Sequence, residues 1–195
     1  MTTQNQPQNQ PLSKLQGFFS KPDSALPAPG AMNVEKYRQL LERALSSVPT
    51  GQRLLRFAAQ QRITTHVIPG KGTSGYLPEN RAVYVVLPAG LSTVLPMDIL
   101  ELGAYLRQAE LQILGAKNPD ESMTSEQFTV AFDAKIIDSI AVMCKMATEF
   151  DEKGQSEFID ALITSGHSEL YEAYRNYGQG EELVDVYYRL IEKTA

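Results

Sequence analysis

The chain has 195 residues, 43% of them hydrophobic and 21% charged, with a formal net charge of -5 and a pI near 5.1. Such a length supports one domain with a substantial core, and the composition excludes fibrous and wholly disordered classes. The net acidity argues against nucleic-acid binding, and no run approaches the ~20 apolar residues of a membrane-spanning helix.

Residues 1–32 are rich in Gln, Asn, Pro and Ser and close on the stretch Pro27 to Gly30. They bury too little apolar surface to offset the entropy of ordering, so a disordered tail is expected. Its start, Met1-Thr2-Thr3-Gln4, lacks the charged-then-apolar pattern of a secretory signal, which makes the cytoplasm the expected compartment. Leu12, Leu15 and Phe19 would share one side of a helix too short to be stable alone.

Asn33 is a candidate N-cap for a helix carrying Val34, Tyr37, Leu40, Leu41 and Leu45 at helical spacing and ending near Pro49. Thr50 is the expected cap of a second helix over 51–61, with Leu54, Leu55, Phe57 and Ala58 buried. The period then changes. Ile63 to Ile68 is β-branched and is broken by Pro69-Gly70-Lys71-Gly72; Arg81 to Leu87 reads as a second, well-buried strand after the turn composition Pro78-Glu79-Asn80. Strand, loop and strand predict an antiparallel hairpin. The glycines of 69–75 do not make a phosphate loop, because Gly72 separates Lys71 from Thr73 and a strand follows instead of a helix.

Two long helices are predicted over 96–115 and 125–150, and three shorter ones over 155–164, 168–177 and 181–193. The expected architecture is therefore α+β: mostly helical, with a small antiparallel sheet packed on two long helices. Cys144, in an apolar run and without a second thiol in the chain, reads as a core residue. From Glu149 onward carboxylates far outnumber Lys and Arg, and Tyr171, Tyr174, Tyr177, Tyr187 and Tyr188 accompany them. A solvated helical face or a docking surface for a basic partner would both have this pattern.

The segment order, the stretch Gly75-Tyr76-Leu77-Pro78 and the helix Ala104-Tyr105-Leu106-Arg107-Gln108-Ala109-Glu110-Leu111-Gln112 resemble the compact zincin-like metallopeptidase-type domains of bacterial proteins, over roughly residues 45–150. The resemblance implies a domain spanning 33–195 on a zincin-like scaffold, with a metal-binding helix of the form H-E-L-R-H-A-x-x-Q. At its two histidine positions stand Ala104 and Gln108, and at the general-base position stands Tyr105. The third-ligand stretch is similar to Ala131-Phe132-Asp133-Ala134, with Ala131 at the ligand position and Asp133 retained.

A catalytic zinc takes three protein ligands and a base beside its bound water, and these positions offer neither. His66 and His167 have no histidine at helical i, i+4 spacing. No catalytic residue, metal or cofactor is therefore expected. Tyr105 should find a hydrogen-bond partner in Gln108 or Asp133.

The reading that follows is a non-catalytic pseudo-metallopeptidase scaffold binding a protein or peptide, with Tyr76, Arg81 and Tyr84 as candidate contacts along the strand edge and Tyr105 and Gln108 in the former cleft. An assembly subunit using the acidic, Tyr-rich C-terminal helices is the alternative, and a metal-dependent hydrolase with a rearranged site is the second. A mixed helical domain unrelated to peptidases would share the segment order.

Overall fold

The computed structural model describes residues 33–91, 93–116 and 122–194. The tail expected over 1–32 lies outside them. Helix α1 (Val34–Leu45) starts as expected: the Asn33 side chain accepts from the Glu35 and Lys36 N–H groups at 2.7 and 3.5 Å, and Tyr37, Leu41 and Leu45 are buried.

Helix α2 (Pro49–Gln61) starts earlier than predicted, and Thr50 is not its cap. Pro49 suits the first helical position because its missing N–H would have no intrahelical partner. Thr50 instead donates its N–H and Oγ1–H to the two carboxylate oxygens of Glu149 at 2.9 and 2.6 Å. A carboxylate from a distant helix thus satisfies a free N–H of the first turn and meets the positive end of the helix dipole. At the other end Arg62 adopts a left-handed conformation (φ 56°), and Ile63 N–H returns to the Ala58 carbonyl at 2.8 Å in the Schellman pattern.

The sheet departs from the predicted hairpin. Strand β1 (Thr64–Pro69) pairs with β3 (Ala82–Leu87) in parallel, and the antiparallel partner of β3 is a three-residue strand, β2 (Gly75–Leu77), in the order β1-β3-β2. Burial explains the arrangement: β3 is the most buried strand and takes the centre. Tyr76 pairs with Val83 and shares its buried face, which makes Gly75–Leu77 a strand of its own. The loop 70–74 crosses the C-terminal end of β3, where Val86 N–H donates to Ser74 Oγ at 3.0 Å. A 3₁₀ turn, Pro78–Asn80, and a left-handed Arg81 (φ 46°) then reverse the chain into β3.

Helices α3 (Pro96–Ile113) and α4 (Ser125–Asp151) form the spine expected of the two long segments. They run antiparallel, since Gly103 meets Met146 while Arg107 meets Asp138. Thr124 and Gln127 close a reciprocal capping box at the start of α4. Helix α3 packs on α1, α2 and the sheet, and α4 packs on α5 (Glu157–Leu162), α6 (Ser168–Tyr177) and α7 (Glu181–Thr194).

A π-type turn, Ile163–His167, with Gly166 at φ 88°, joins α5 to α6. The Phe150 and Phe158 rings stack with centroids 3.6 Å apart, fastening α5 to the end of α4. One contiguous buried cluster runs from Tyr37 to Tyr187, so the architecture is α+β, mostly helical, with a small mixed sheet rather than an antiparallel one. Among the described residues no helix is long and apolar enough to cross a membrane.

Candidate functional site

The positions that the resemblance assigned to a former metal site do not form one cluster. Ala104 is buried in the α3 interface. Gln108 Nε2 donates to Ser139 Oγ at 2.8 Å, and Ser139 Oγ donates on to the Lys135 carbonyl. Ala131 lies two helical turns before Ser139, which is roughly 12 Å along the axis at 1.5 Å per residue, so it does not face Gln108.

Asp133 is buried on the side of α4 that meets α7, where Tyr187 Oη donates to its Oδ1 at 3.0 Å. Burial first, and the Asp133 carboxylate second, push the Tyr187 hydroxyl up to about 12. Tyr105 reaches neither expected partner. Its hydroxyl lies 3.5 Å from Glu101 Oε2, one turn back on its own helix. Among the described residues no three His, Cys, Asp or Glu side chains group as metal ligands.

The strongest polar feature of the α3–α4 seam is an ionic chain that the sequence presented as ordinary helix-face pairs. The side chain of Glu110 is 7% exposed and receives Arg53 on one oxygen and Arg107 Nη1 on the other, the latter at 2.6 Å. Arg107 also donates through Nε and Nη2 to the two oxygens of Asp138 at 2.9 and 3.1 Å, and Gln179 Nε2 reaches Asp138 Oδ1 at 3.2 Å. Burial raises the Glu110 carboxyl, but hydrogen bonds from Arg53 and Arg107 outweigh it and hold the group below its ordinary value. This chain ties α2, α3, α4 and the α6–α7 connection together. All its members already have partners within the fold, so it is a clasp.

A second polar group lies at the start of α3. Tyr37, fully buried, donates to Asp98, which also accepts from Leu95 N–H at 3.3 Å. Glu101, half-buried nearby, has its carboxyl raised by burial and then by the Asp98 charge.

The sheet offers what the helices do not, a set of unused backbone groups. Thr64 N–H bonds to the Arg81 carbonyl at 3.1 Å and Gly70 N–H to the Leu87 carbonyl at 3.0 Å, so even-numbered residues of β1 face β3. Alternation turns the N–H and C=O groups of Thr65 and Val67, and the carbonyl of Pro69, to the outer edge, where no described residue hydrogen-bonds to them. The sheet face carrying Val83, Val85 and Tyr76 is buried. The other carries an exposed His66 stacked on Tyr84, with ring centroids 5.3 Å apart and planes at 24°. His66 Nε2 lies 2.9 Å from Thr64 Oγ1, and Asn80 Nδ2 donates to Tyr84 Oη at 3.2 Å.

Of the three expected contacts, Arg81 is exposed just before β3 and Tyr84 is half-buried on the open face. Tyr76 is 9% exposed and faces the core, so it cannot contact a ligand on that surface. Sequence reading missed His66 as the stacking partner of Tyr84, and it expected a strand edge without placing it on β1. The β-branched run Ile63 to Ile68 carried the second signal, but only with β1 placed at the sheet margin.

His167 sits in the π-type turn with Nδ1 2.8 Å from Ser165 Oγ, and Ser165 donates to the Leu162 carbonyl. The serine proton is thereby committed to the backbone. Of the five C-terminal tyrosines, Tyr171 and Tyr187 are buried, Tyr174 is half-buried, and Tyr177 and Tyr188 are exposed. Cys144 is fully buried, and burial pushes its thiol up to about 12. No family model matches the chain, no curated protein matches it, and no solved structure matches it.

Proposed function

We propose that the protein is a non-catalytic binding module that takes an extended peptide segment of a partner on the outer edge of β1. The observation that carries this reading is the row of unpaired backbone groups at Thr65 and Val67, beside the His66–Tyr84 stack. A strand edge of this kind recognises a peptide backbone by the same ladder that holds β3, while the neighbouring side chains select its sequence. Arg81 and Tyr84 belong to this surface; Tyr76 supports it from the core.

The zincin-like scaffold enters the proposal through the Leu106-Arg107, Ala109 and Gln112 pattern and the segment order. The offset between Ala131 and Gln108 gives that scaffold no vestige of a converging metal site. A pseudo-peptidase that has become a binding module is compatible with this arrangement, because binding on β1 does not use the α3–α4 seam.

The test is a selection of binders from a random peptide library, followed by amide chemical-shift mapping of the full chain. Shifts centred on Thr65 and Val67 are expected. Failure to select any peptide whose shifts map to β1 refutes the reading. A second reading, assembly through the C-terminal helices, is favoured by Tyr177, Tyr188 and Ile191, which are 64%, 40% and 40% exposed. A mass that rises with concentration, with shifts confined to α6 and α7, would select it instead.

A further inference from the structure

Both non-glycine residues with positive φ in the described chain are arginines, and both lie at one end of the sheet. Arg62 immediately precedes the residues that lead into β1, and Arg81 immediately precedes β3; Thr64 N–H on the Arg81 carbonyl holds the two strand starts side by side. Both side chains are exposed, and neither makes an ion pair with a described residue. A left-handed backbone is unfavourable for a residue with a Cβ, and glycine or asparagine is the usual occupant. The left-handed backbone closes α2 at Arg62 and turns the chain into β3 at Arg81, and neither task uses the guanidinium.

The surrounding charge is equally one-sided. Between Pro49 and Leu95 the chain carries Arg53, Arg56, Arg62, Lys71 and Arg81 against the single carboxylate Glu79, although the whole protein has a net charge of -5. Arg53 is engaged by Glu110, whereas Arg62 and Arg81 both stand at the end of the sheet where β1 and β3 begin, Arg62 leading into the edge strand and Arg81 into its neighbour, while α1 packs against β1.

We infer that the segment bound on the β1 edge is acidic: an extended peptide whose backbone pairs with Thr65 and Val67 and whose Asp or Glu side chains meet Arg62 and Arg81. The inference rests on the proposed strand-edge reading and adds the chemistry of the partner. Guanidinium forks match carboxylates with paired hydrogen bonds, which gives direction and register to an otherwise sequence-blind ladder. A nucleic-acid strand has no amide ladder to offer β1, and two arginines on an acidic protein make a small electrostatic footprint for one.

The experiment is fluorescence anisotropy on the full chain. The probe is a short labelled peptide alternating Glu with Val, compared with the same peptide carrying Gln or Lys in place of Glu. The Glu peptide should bind most tightly, weaken as salt rises, and lose about tenfold or more in affinity to the Arg62→Gly/Arg81→Gly double variant. Val67→Pro removes an outward N–H without breaking the ladder to β3 and should abolish binding of every peptide. Thr65→Pro serves the same purpose if circular dichroism shows Val67→Pro to be unfolded.

Equal binding of the Glu and Gln peptides, both lost in the proline variant, overturns the acidic partner and leaves the strand-edge module standing. Binding of none of the peptides overturns both. Displacement of the probe by a single-stranded oligonucleotide at lower concentration than by unlabelled peptide overturns the proposal in favour of a nucleic-acid ligand.

Discussion

Replacing Glu110 by Gln removes the one charge on which two guanidiniums converge. A broken ion pair deep in a protein costs about 3–5 kcal/mol, and a solvated one about 0–1 kcal/mol. Here the Glu110 side chain is 7% exposed, Arg107 23% and Arg53 51%. Arg107 keeps both oxygens of Asp138 after the substitution, and Arg53 can turn to water. The expected cost therefore lies between the limits, at about 2 kcal/mol.

With a urea slope of about 2 kcal/mol per M, the unfolding midpoint should fall by about 1 M at pH 7. The pH dependence carries the sign of a depressed carboxyl. The unfolded group titrates near its ordinary value, about 4.3, and the folded one below it. The native state then binds fewer protons than the unfolded state, so the stabilisation is complete above that value and is lost as pH falls through the folded one. Wild type and Glu110→Gln should converge in strong acid. A midpoint shift under about 0.2 M at pH 7, or a gap that is the same at every pH, would refute the view of Glu110 as a clasp.

Two glycines on helices separate hard from soft overlap. A Cβ on Gly51 would collide with the backbone carbonyl of Leu45, so Gly51→Ala should cost about 3 kcal/mol or abolish folding; a Cβ on Gly103 overlaps the flexible end of Met146 and touches Leu45 Cδ1 at 3.4 Å, so Gly103→Ala should cost about 1 kcal/mol by the same denaturation assay. Glu101→Gln should stabilise the protein at neutral pH. Burial and then Asp98 raise the Glu101 carboxyl, so the native state binds the extra proton and this residue's contribution weakens as pH rises from the unfolded value through the raised one; the advantage of Gln should disappear in acid. Cys144, buried and with its thiol pushed up to about 12, should resist alkylation at neutral pH until denaturant unfolds α4, as mass spectrometry would register.

The helical periodicity of 96–115 and 125–150 was sufficient to find α3 and α4, because a long amphipathic segment repeats its signal over many turns. Strand partners were not legible in the same way. The pattern of Arg81 to Leu87 reveals a buried strand, but parallel or antiparallel pairing depends on whether five loop residues cross above β3, and three residues of β2 are too few to show a period. The clasp was hidden for a related reason. Arg107 and Glu110 look like a solvated i, i+3 pair until Asp138, 31 positions beyond Arg107, is known to lie opposite. Thr50 misled because a hydroxyl near a helix start is usually its cap, and nothing local announces that Glu149 has taken over that work.

The two left-handed arginines allow stability to be set against binding at the same positions. A left-handed conformation costs a residue with a Cβ about 1–2 kcal/mol relative to glycine, and glycine loses about 0.4–1 kcal/mol of that gain through its freer unfolded chain. Arg62→Gly and Arg81→Gly should each therefore raise stability by about 0.5–1 kcal/mol, and because neither arginine makes an ion pair with a described residue, little is lost in exchange. A structural role for either guanidinium predicts the opposite sign. Thermal unfolding of the single variants reads it directly: a rise of a few degrees in each, together with weakened binding of the acidic probe, identifies residues kept at the expense of the fold. A fall in either melting temperature would mean that the arginine holds the start of its strand in place, and the argument from backbone strain to binding would fail at that position.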